Sequence, residues 1–388
     1  PYTILEHFKK NGGSEKALYA GEVELFPKLM VSDTSKNLRR IFHLQDRMKK
    51  QSGAKFKAQR VHVVGAGLMG GDIAAYCALQ GLEVSLQDLD MDRIQPALKR
   101  AKKLFDKKVR GGSQAKKAAM ARLIPDVEGN HIARADVIIE AVVERLDIKK
   151  TVFADLEAKA KPDAVLATNT SALPLEDIAE GLKDPSRLVG LHFFNPVPQM
   201  PLVEVVYGTN SAQGEVDRAV AFCGQIKKSP LKVKSAKGFL VNRALLPYMV
   251  KALEVMQAGT PKEEIDSALL KFGMPMGPVE LADQVGLDVG LYVAQTLDLG
   301  TGAGAEVLQS MIDQGKLGMK SGEGFYKWEK RKPVRDLSPY KDQDQSALAE
   351  EIIKPMIDEC QRIVDEGVVE DADMADIERA PRLDQRVV

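Results

Sequence analysis

Residues 60–88, RVHVVGAGLMGGDIAAYCALQGLEVSLQD, decide the fold. Val61, Val63 and Val64 make a β-branched run that reads as a strand. Residues 65–71 form a glycine-rich turn of G-x-G-x-x-G pattern, with Leu68 and Met69 inside it. Residues 72–80 read as a helix ended by Gly81, and 82–87 as a second strand closing at Asp88. Such a glycine pattern is weak by itself. Between a strand and a helix, with an acid ending the next strand, it has the context of a dinucleotide-binding turn. Gly65 permits the tight turn, Gly67 lets the backbone approach a pyrophosphate, and Gly70 lets the helix pack on the strand. Asp88 is placed to hydrogen-bond ribose hydroxyls and to repel a 2′-phosphate, so the expected cofactor is NAD rather than NADP. A glycine turn kept only for packing is the competing reading.

Outward from this stretch the alternation continues. Residues 137–142 are an apolar strand, 149–161 a helix and 164–167 another strand. Continuous apolar strands alternating with helices predict an α/β fold, a Rossmann-type doubly wound parallel sheet. After Lys237 the strand signals stop. Helices are expected at 242–258, 261–271 and 285–297, giving an all-helical C-terminal domain. LLPYMVKALEVMQAG (245–259) is echoed by IIKPMIDECQRIVDEG (352–367), and aligning Pro247 with Pro355 also aligns Gly259 with Gly367. This predicts a partial second helical copy, against chance likeness of two amphipathic helices. Upstream, 36–51 is an amphipathic helix, Gly12, Gly13 and Pro27 are expected to break 1–35, and 53–59 reads as a basic linker. The expected domains are therefore a helical linker at 1–58, a nucleotide-binding domain at 59–238, a helical domain at 239–330 and the partial copy at 340–388.

The 388 residues carry 55 Lys+Arg and 55 Asp+Glu, so no global field draws the chain to nucleic acid or a membrane surface. No apolar run approaches the roughly 18 residues of a transmembrane segment, and none is expected. No secretory signal is read at the start, and Pro1 in place of Met reads as a processed or excised piece. Cys77, Cys223 and Cys360 are far apart in apolar stretches and read as reduced core thiols of a cytoplasmic protein. No metal is expected.

The chemistry centres on LHFFNPVPQMPLVEVV (191–206). His192 ends one apolar run and Glu204 lies in the next, at equal distances from Pro198. In a hairpin, equal offsets are cross-strand neighbours, so an imidazole and a carboxylate would face each other. That is a general base and the group that orients it. The other histidines, His7, His43, His62 and His131, read as structural.

Seven motifs occur here in one order: RVHVVGAGLMGGDIA, IIEAVVERLDIKK, Asn169-Thr170-Ser171, LHFFNPVPQMPLVEVV, GFLVNRALLPYM, GMPMGPVELAD and GMKSGEGFYKW. Together they resemble L-3-hydroxyacyl-CoA dehydrogenase over roughly residues 59–330, in the form found as the dehydrogenase part of a multifunctional fatty-acid β-oxidation enzyme that also hydrates enoyl-CoA. The resemblance implies NAD-dependent oxidation of 3-hydroxyacyl-CoA to 3-ketoacyl-CoA. It implies His192 as base, Glu204 as its partner, and Ser171, Asn195 and Asn242 lining the site. For NAD it implies Gly65, Gly67, Leu68, Met69, Gly70, Asp88, Glu144, Lys149 and Lys320. Blander readings are a solvent-facing Glu204, a helix-capping Asn242 and an ordinary turn lysine at Lys320. Some of Lys102, Lys103, Lys107 and Lys108 would meet CoA phosphates, or else form a solvated face. A thiolase subunit or a second copy is the implied partner. The alternatives are a hydroxyacid dehydrogenase with a lysine-based mechanism, a non-catalytic dinucleotide-binding relative, and a fragment of a chain that also hydrates enoyl-CoA.

Overall fold

The computed structural model describes residues 2–50, 55–300 and 303–376. They fall into two compact units, Pro1–Lys50 and Gln51–Val388. The first unit is α1 (Tyr2–Asn11), α2 (Glu15–Val31) and α3 (Asp33–Lys50). Gly12 and Gly13 break the chain as expected, and the Ser14 side chain accepts the Ala17 N–H to cap α2. Pro27 does not break it: α2 runs through this proline to Val31. A helical proline forfeits one N–H and crowds the carbonyl four residues back, at about 3 kcal/mol, and the flanking turns outweigh that here. No residue of α1 or α2 is buried, and Tyr2, Phe8, Tyr19, Val23 and Phe26 are exposed. Residues 51–54, part of the expected linker, lie outside the described residues.

The second unit opens with β1 (Arg60–Val64), α4 (Leu68–Leu79), β2 (Glu83–Gln87), α5 (Met91–Lys108), α6 (Gly112–Ala121) and β3 (Leu123–Pro125). It continues through β4 (Val137–Glu140), α7 (Leu146–Lys159), β5 (Val165–Thr168) and α8 (Leu175–Ala179). β6 (Leu188–Phe193), β7 (Leu202–Tyr207), α9 (Gln213–Gln225) and β8 (Ser229–Lys234) complete one sheet. Its order is β3-β2-β1-β4-β5-β6-β7-β8. The strands through β6 are parallel; β7 pairs antiparallel to β6, and β8 parallel to β7. Helices cover both faces, so β4, β5 and β6 are buried along their whole length. α5 shows the pattern that seats such helices: Ile94, Ala97, Ala101 and Phe105 are buried at i, i+3, i+4 spacing while its lysines at 102, 103, 107 and 108 are exposed.

The glycine turn is shorter than its sequence suggests, because α4 begins at Leu68 rather than at 72. Gly70 and Gly71 belong to the first helical turn and are small for want of room. A Cβ on Gly70 would lie 1.9 Å from the Gly65 carbonyl oxygen, and one on Gly71 would lie 2.6 Å from the Ala97 Cβ.

Five helices follow: α10 (Val241–Gln257), α11 (Lys262–Phe272), α12 (Pro278–Val285), α13 (Leu287–Thr296) and α14 (Ala303–Asp313). Leu253, Ala282, Leu287, Leu291 and Leu308 form their core. The helix expected from 285 starts two residues later, because Gly286 (φ 102) ends α12 and opens α13. The region is not all-helical. β9 (Lys327–Glu329) and β10 (Lys332–Val334) form a hairpin turned by Lys330 and Arg331, both at positive φ. Two buried carboxylates hold the segment extended. Asp283 accepts the Phe325 and Tyr326 N–H groups and the Trp328 indole N–H; Asp266 accepts the Tyr326 hydroxyl and the Arg335 guanidinium.

α15 (Ser346–Asp365) and α16 (Ala372–Asp376) end the described chain. α15 packs along α10 and α11. Like α10 it contains a proline, Pro355 against Pro247, and is followed by a left-handed glycine, Gly367 against Gly259. Arg243 of α10 pairs with Glu359 and Glu366, and Lys251 with Glu351. The tail at 377–388 lies outside the described residues. Cys77 and Cys223 are buried; Cys360, expected in the core, is only half-buried on α15. No helix among the described residues is long and apolar enough to cross a membrane.

Candidate active site

The β6–β7 register places His192 directly opposite Glu204. The imidazole Nδ1 lies 2.5 Å from Glu204 Oε2, in a pocket that leaves His192 6% exposed and Glu204 fully buried. An ionised carboxylate only accepts, so Nδ1 carries the proton and donates it. Nε2 makes no hydrogen bond within the described residues and carries the free lone pair. Phe194 and Phe239 flank the ring, with centroids 4.4 and 5.8 Å away. Glu204 uses its second oxygen, Oε1, to accept the Leu240 and Val241 N–H groups at 3.0 Å. A carboxylate at the N-terminus of α10 is favoured by the helix's unpaired amides and dipole. A solvent-facing Glu204 is therefore excluded.

The next residue of α10 continues the connection. Asn242 Nδ2 donates to the Ser171 carbonyl at 2.8 Å. Asn242 does not cap the helix, because the N-cap position is Leu240. Ser171 donates its backbone N–H and its hydroxyl to Glu144 Oε1. Thr170 Oγ1 donates to the same oxygen at 2.5 Å. Glu144 Oε2 pairs with Lys149 Nζ at 3.1 Å, and Lys149 also pairs with Glu140 at 2.7 Å. Lys149 is 1% exposed, so a buried ammonium is held between two carboxylates. Glu140 is completed by the Thr168 hydroxyl and the Val142 N–H. Burial pushes the Glu144 carboxyl up, but the Lys149 charge and the bonds from Thr170 and Ser171 outweigh it and hold it below the usual range. From α13, Tyr292 donates its hydroxyl to the Glu144 carbonyl at 3.2 Å. The helical region thus touches the sheet edge at Glu204, Ser171 and Glu144.

At the glycine turn, Gly65 (φ 99) could not carry a side chain, since a Cβ would lie 2.4 Å from the Ala141 carbonyl oxygen. A Cβ on Gly67 would meet nothing within 4 Å. Open space over the N-terminus of α4 fits a pyrophosphate approaching the backbone, as NAD requires. Asp88 Oδ2 accepts the Ala66 N–H at 2.7 Å, so the acid that would hold the ribose also ties down the turn. Arg100 of α5 reaches across to the Gly67 carbonyl and to Asp72.

The structure joins His192, Glu204, Asn242, Ser171, Glu144 and Lys149 in one bonded series, and Gly65 to Gly70 with Asp88 in a second group. Leu68 is exposed at the start of α4 and Met69 half-buried. Two expected residues stand apart. Asn195 is exposed in the β6–β7 loop and makes no hydrogen bond within the described residues. Lys320 is exposed and paired with Asp288 of α13, 2.5 Å away. Glu140, Arg100 and Tyr292 were not singled out in the sequence, and Thr170 was named there only within the 169–171 triplet. Only Glu140 carried a signal, a charge within the otherwise apolar strand 137–142. Of the other histidines of this unit, His62 is buried between Ser85 and Gln87, and that burial pulls its imidazole below the usual range.

Residues 60–236 match the family model for the 3-hydroxyacyl-CoA dehydrogenase NAD binding domain, and 238–328 the model for the C-terminal domain of that family. A curated relative, fatty acid oxidation complex subunit alpha of Vibrio vulnificus, is 38% identical over 381 residues, covering 92% of this chain and 54% of the relative. The chain thus spans about half the length of the curated relatives it matches. Among solved structures, 3-hydroxybutyryl-CoA dehydrogenase from Escherichia coli is 35% identical at TM-score 0.66, over 72% of this chain and 61% of that one. FadB2 of M. tuberculosis is 35% identical at TM-score 0.66, over 70% of this chain and 99% of that one. The dehydrogenase part of multifunctional enzyme 1 from C. elegans is 27% identical at TM-score 0.63, over 87% and 85%.

Proposed function

Since the chain belongs to the 3-hydroxyacyl-CoA dehydrogenase family and carries both its NAD-binding and its C-terminal domain, we propose that it oxidises L-3-hydroxyacyl-CoA to 3-ketoacyl-CoA in fatty-acid β-oxidation. The observation that carries this reading is the His192–Glu204 pair, whose carboxylate also seats α10.

The Gly65–Gly70 turn and Asp88 would hold NAD, which would supply a hydride acceptor for carbon 3. The protein's task is the proton. His192 Nε2, kept unprotonated by the Nδ1–H bond to Glu204, takes the hydroxyl proton as the C–O bond gains double-bond character. Glu204 then lies 2.5 Å from the imidazolium that forms and stabilises its charge. Ser171 and Asn242, joined to each other, border the same edge and are assigned to orient the substrate oxygen and the nicotinamide amide. Glu144 and Lys149 support Ser171 from beneath. Gly65, Gly67, Leu68, Met69 and Gly70 are assigned to the pyrophosphate, and Asp88 to the adenosine ribose. Asn195 is assigned to line the substrate site and Lys320 to NAD, on resemblance alone.

The domain limits we propose are 59–238 for nucleotide binding, 239–330 for the helical domain and 340–388 for its partial copy. Residues 1–58 we assign to the trailing helices of a preceding hydratase-type domain. The exposed apolar side chains of α1 and α2 support this. Location in the cytoplasm and assembly with a thiolase subunit, or with a second copy, complete the proposal; the similarity to a complex subunit supports the association.

The direct test incubates the purified chain with NAD and 3-hydroxyacyl-CoA thioesters of several lengths and follows NADH absorbance. Formation of NADH with at least one thioester is expected. A protein that binds NAD yet turns over none of them refutes the activity.

A further inference from the structure

We propose that Lys228 is a positioning residue for this reaction: its ammonium clamps the 194–201 loop, which joins His192 to Glu204, and fixes it against the helix that starts at the glycine turn. The proposal deepens the dehydrogenase reading and rests on it.

The loop cannot hold itself. Pro196, Pro198 and Pro201 have no N–H to donate. Its own bonds are those of one small turn, from Gln199 and Met200 N–H to the Pro196 carbonyl. Lys228 supplies the missing donors. Its Nζ donates to the carbonyls of Val197 and Met200, one on each side of the turn's centre. On its other side the ammonium lies 4.1 Å from the Tyr76 ring centroid, on α4, the helix that begins at Leu68. One buried cation therefore touches both the loop between base and carboxylate and the element that seats the cofactor's phosphates.

The surroundings show that this charge serves geometry rather than an ion pair. Lys228 is 5% exposed, and no carboxylate pairs with it among the described residues. The titratable groups packed around it are Tyr76 and Cys77 from α4 and Cys223 from α9; residues 194–201 contain none. Burial pushes Cys77 up to about 12, and Cys223 and Tyr76 upward as well, so all three are neutral at physiological pH. Burial pulls Lys228 down to about 8. The folded value is below the unfolded one, so the stability gained by shedding the proton is present above pH 10.5 and lost as pH falls through 8. At neutral pH the ammonium is thus a burden on folding. A methionine would fill the same space without it. The chain just before it, Lys227, takes the left-handed conformation (φ 60) that turns the backbone from α9 into β8 at this point.

Lys228→Met removes the donors and nearly keeps the volume. On the whole chain, kcat in the oxidation direction should fall by about tenfold to a hundredfold through misplacement of the loop, while NAD affinity stays within about twofold. Deuterium uptake of the peptide covering 194–201 should rise, with α4 unchanged. A general base in that direction causes no loss of rate at high pH, so the unaltered protein should show an alkaline limb near 8 that the variant lacks. Full kcat with unchanged loop exchange in the variant would overturn the proposal. A variant too unstable to assay leaves the same decision to the unaltered protein: two N–H donors remain after deprotonation but both bonds lose their charge assistance, so loop uptake, corrected for intrinsic exchange, should rise as pH passes 8, and a flat profile overturns the ammonium clamp. Absence of turnover with every thioester would count against the dehydrogenase reading, whereas loop exchange judges the clamp separately.

Discussion

His192 can act as a base in only one tautomer, and Glu204 selects it. Replacing the imidazole with an amide of similar reach should therefore cost chemistry rather than binding. For His192→Gln we expect kcat to drop by about a hundredfold to ten-thousandfold, with the NAD dissociation constant unchanged in a fluorescence titration. A variant that loses NAD instead would mean the base has been misassigned. The pair was legible in the sequence because strand pairing is symmetric about a turn, and a proline-rich linker marks where the turn lies. The second duty of Glu204 was not legible. Its partners, the Leu240 and Val241 amides, lie 36 and 37 residues away across a change of fold. Glu140 was read only as part of a strand, because nothing local announces that Lys149 will be buried against it.

The glycine turn and the two strands it joins act as one element. Gly65, Gly67 and Gly70 were legible by pattern, but where the helix starts was not: composition alone cannot separate a glycine needed for a turn from one needed for space. Asp88 binds the Ala66 amide within this element, so its charge and its acceptor role can be separated. Asp88→Ala loses both and should weaken NAD by about tenfold to a hundredfold. Asp88→Asn keeps an acceptor for Ala66. It should hold more of the NAD affinity while narrowing the preference over NADP as strongly as the alanine variant does. Equal NAD affinity in all three proteins would remove Asp88 from the ribose site. The hairpin at 327–334 escaped the sequence reading because its strands are only three residues each and depend on distant carboxylates.

Those carboxylates tie two helices, α11 and α12, to one extended strap, and Asp266 makes the tie sensitive to pH. Burial pushes Asp266 up to about 6 from 3.8, against opposing bonds from Tyr326, Val279 and Arg335. A raised folded value means that the stability from binding this proton is fully present below 3.8 and lost as pH rises through 6. The melting temperature of the natural protein, minus that of Asp266→Asn, should therefore be larger near pH 4 than near pH 7. A difference that does not vary with pH would rule Asp266 out as the titrating group. The echo between α10 and α15 was legible through its prolines and glycines, while their packing against each other was not, since periodicity names a face but not its partner. The grip of Glu204 on the first amides of α10 has one more consequence. In the proposed reaction the same carboxylate both anchors the first amides of α10 and orients the proton acceptor, so loosening that helix start and disarming the base would be a single event. A recombined enzyme that borrowed its helical lobe from another source would need to reproduce that socket, or its imidazole would turn freely.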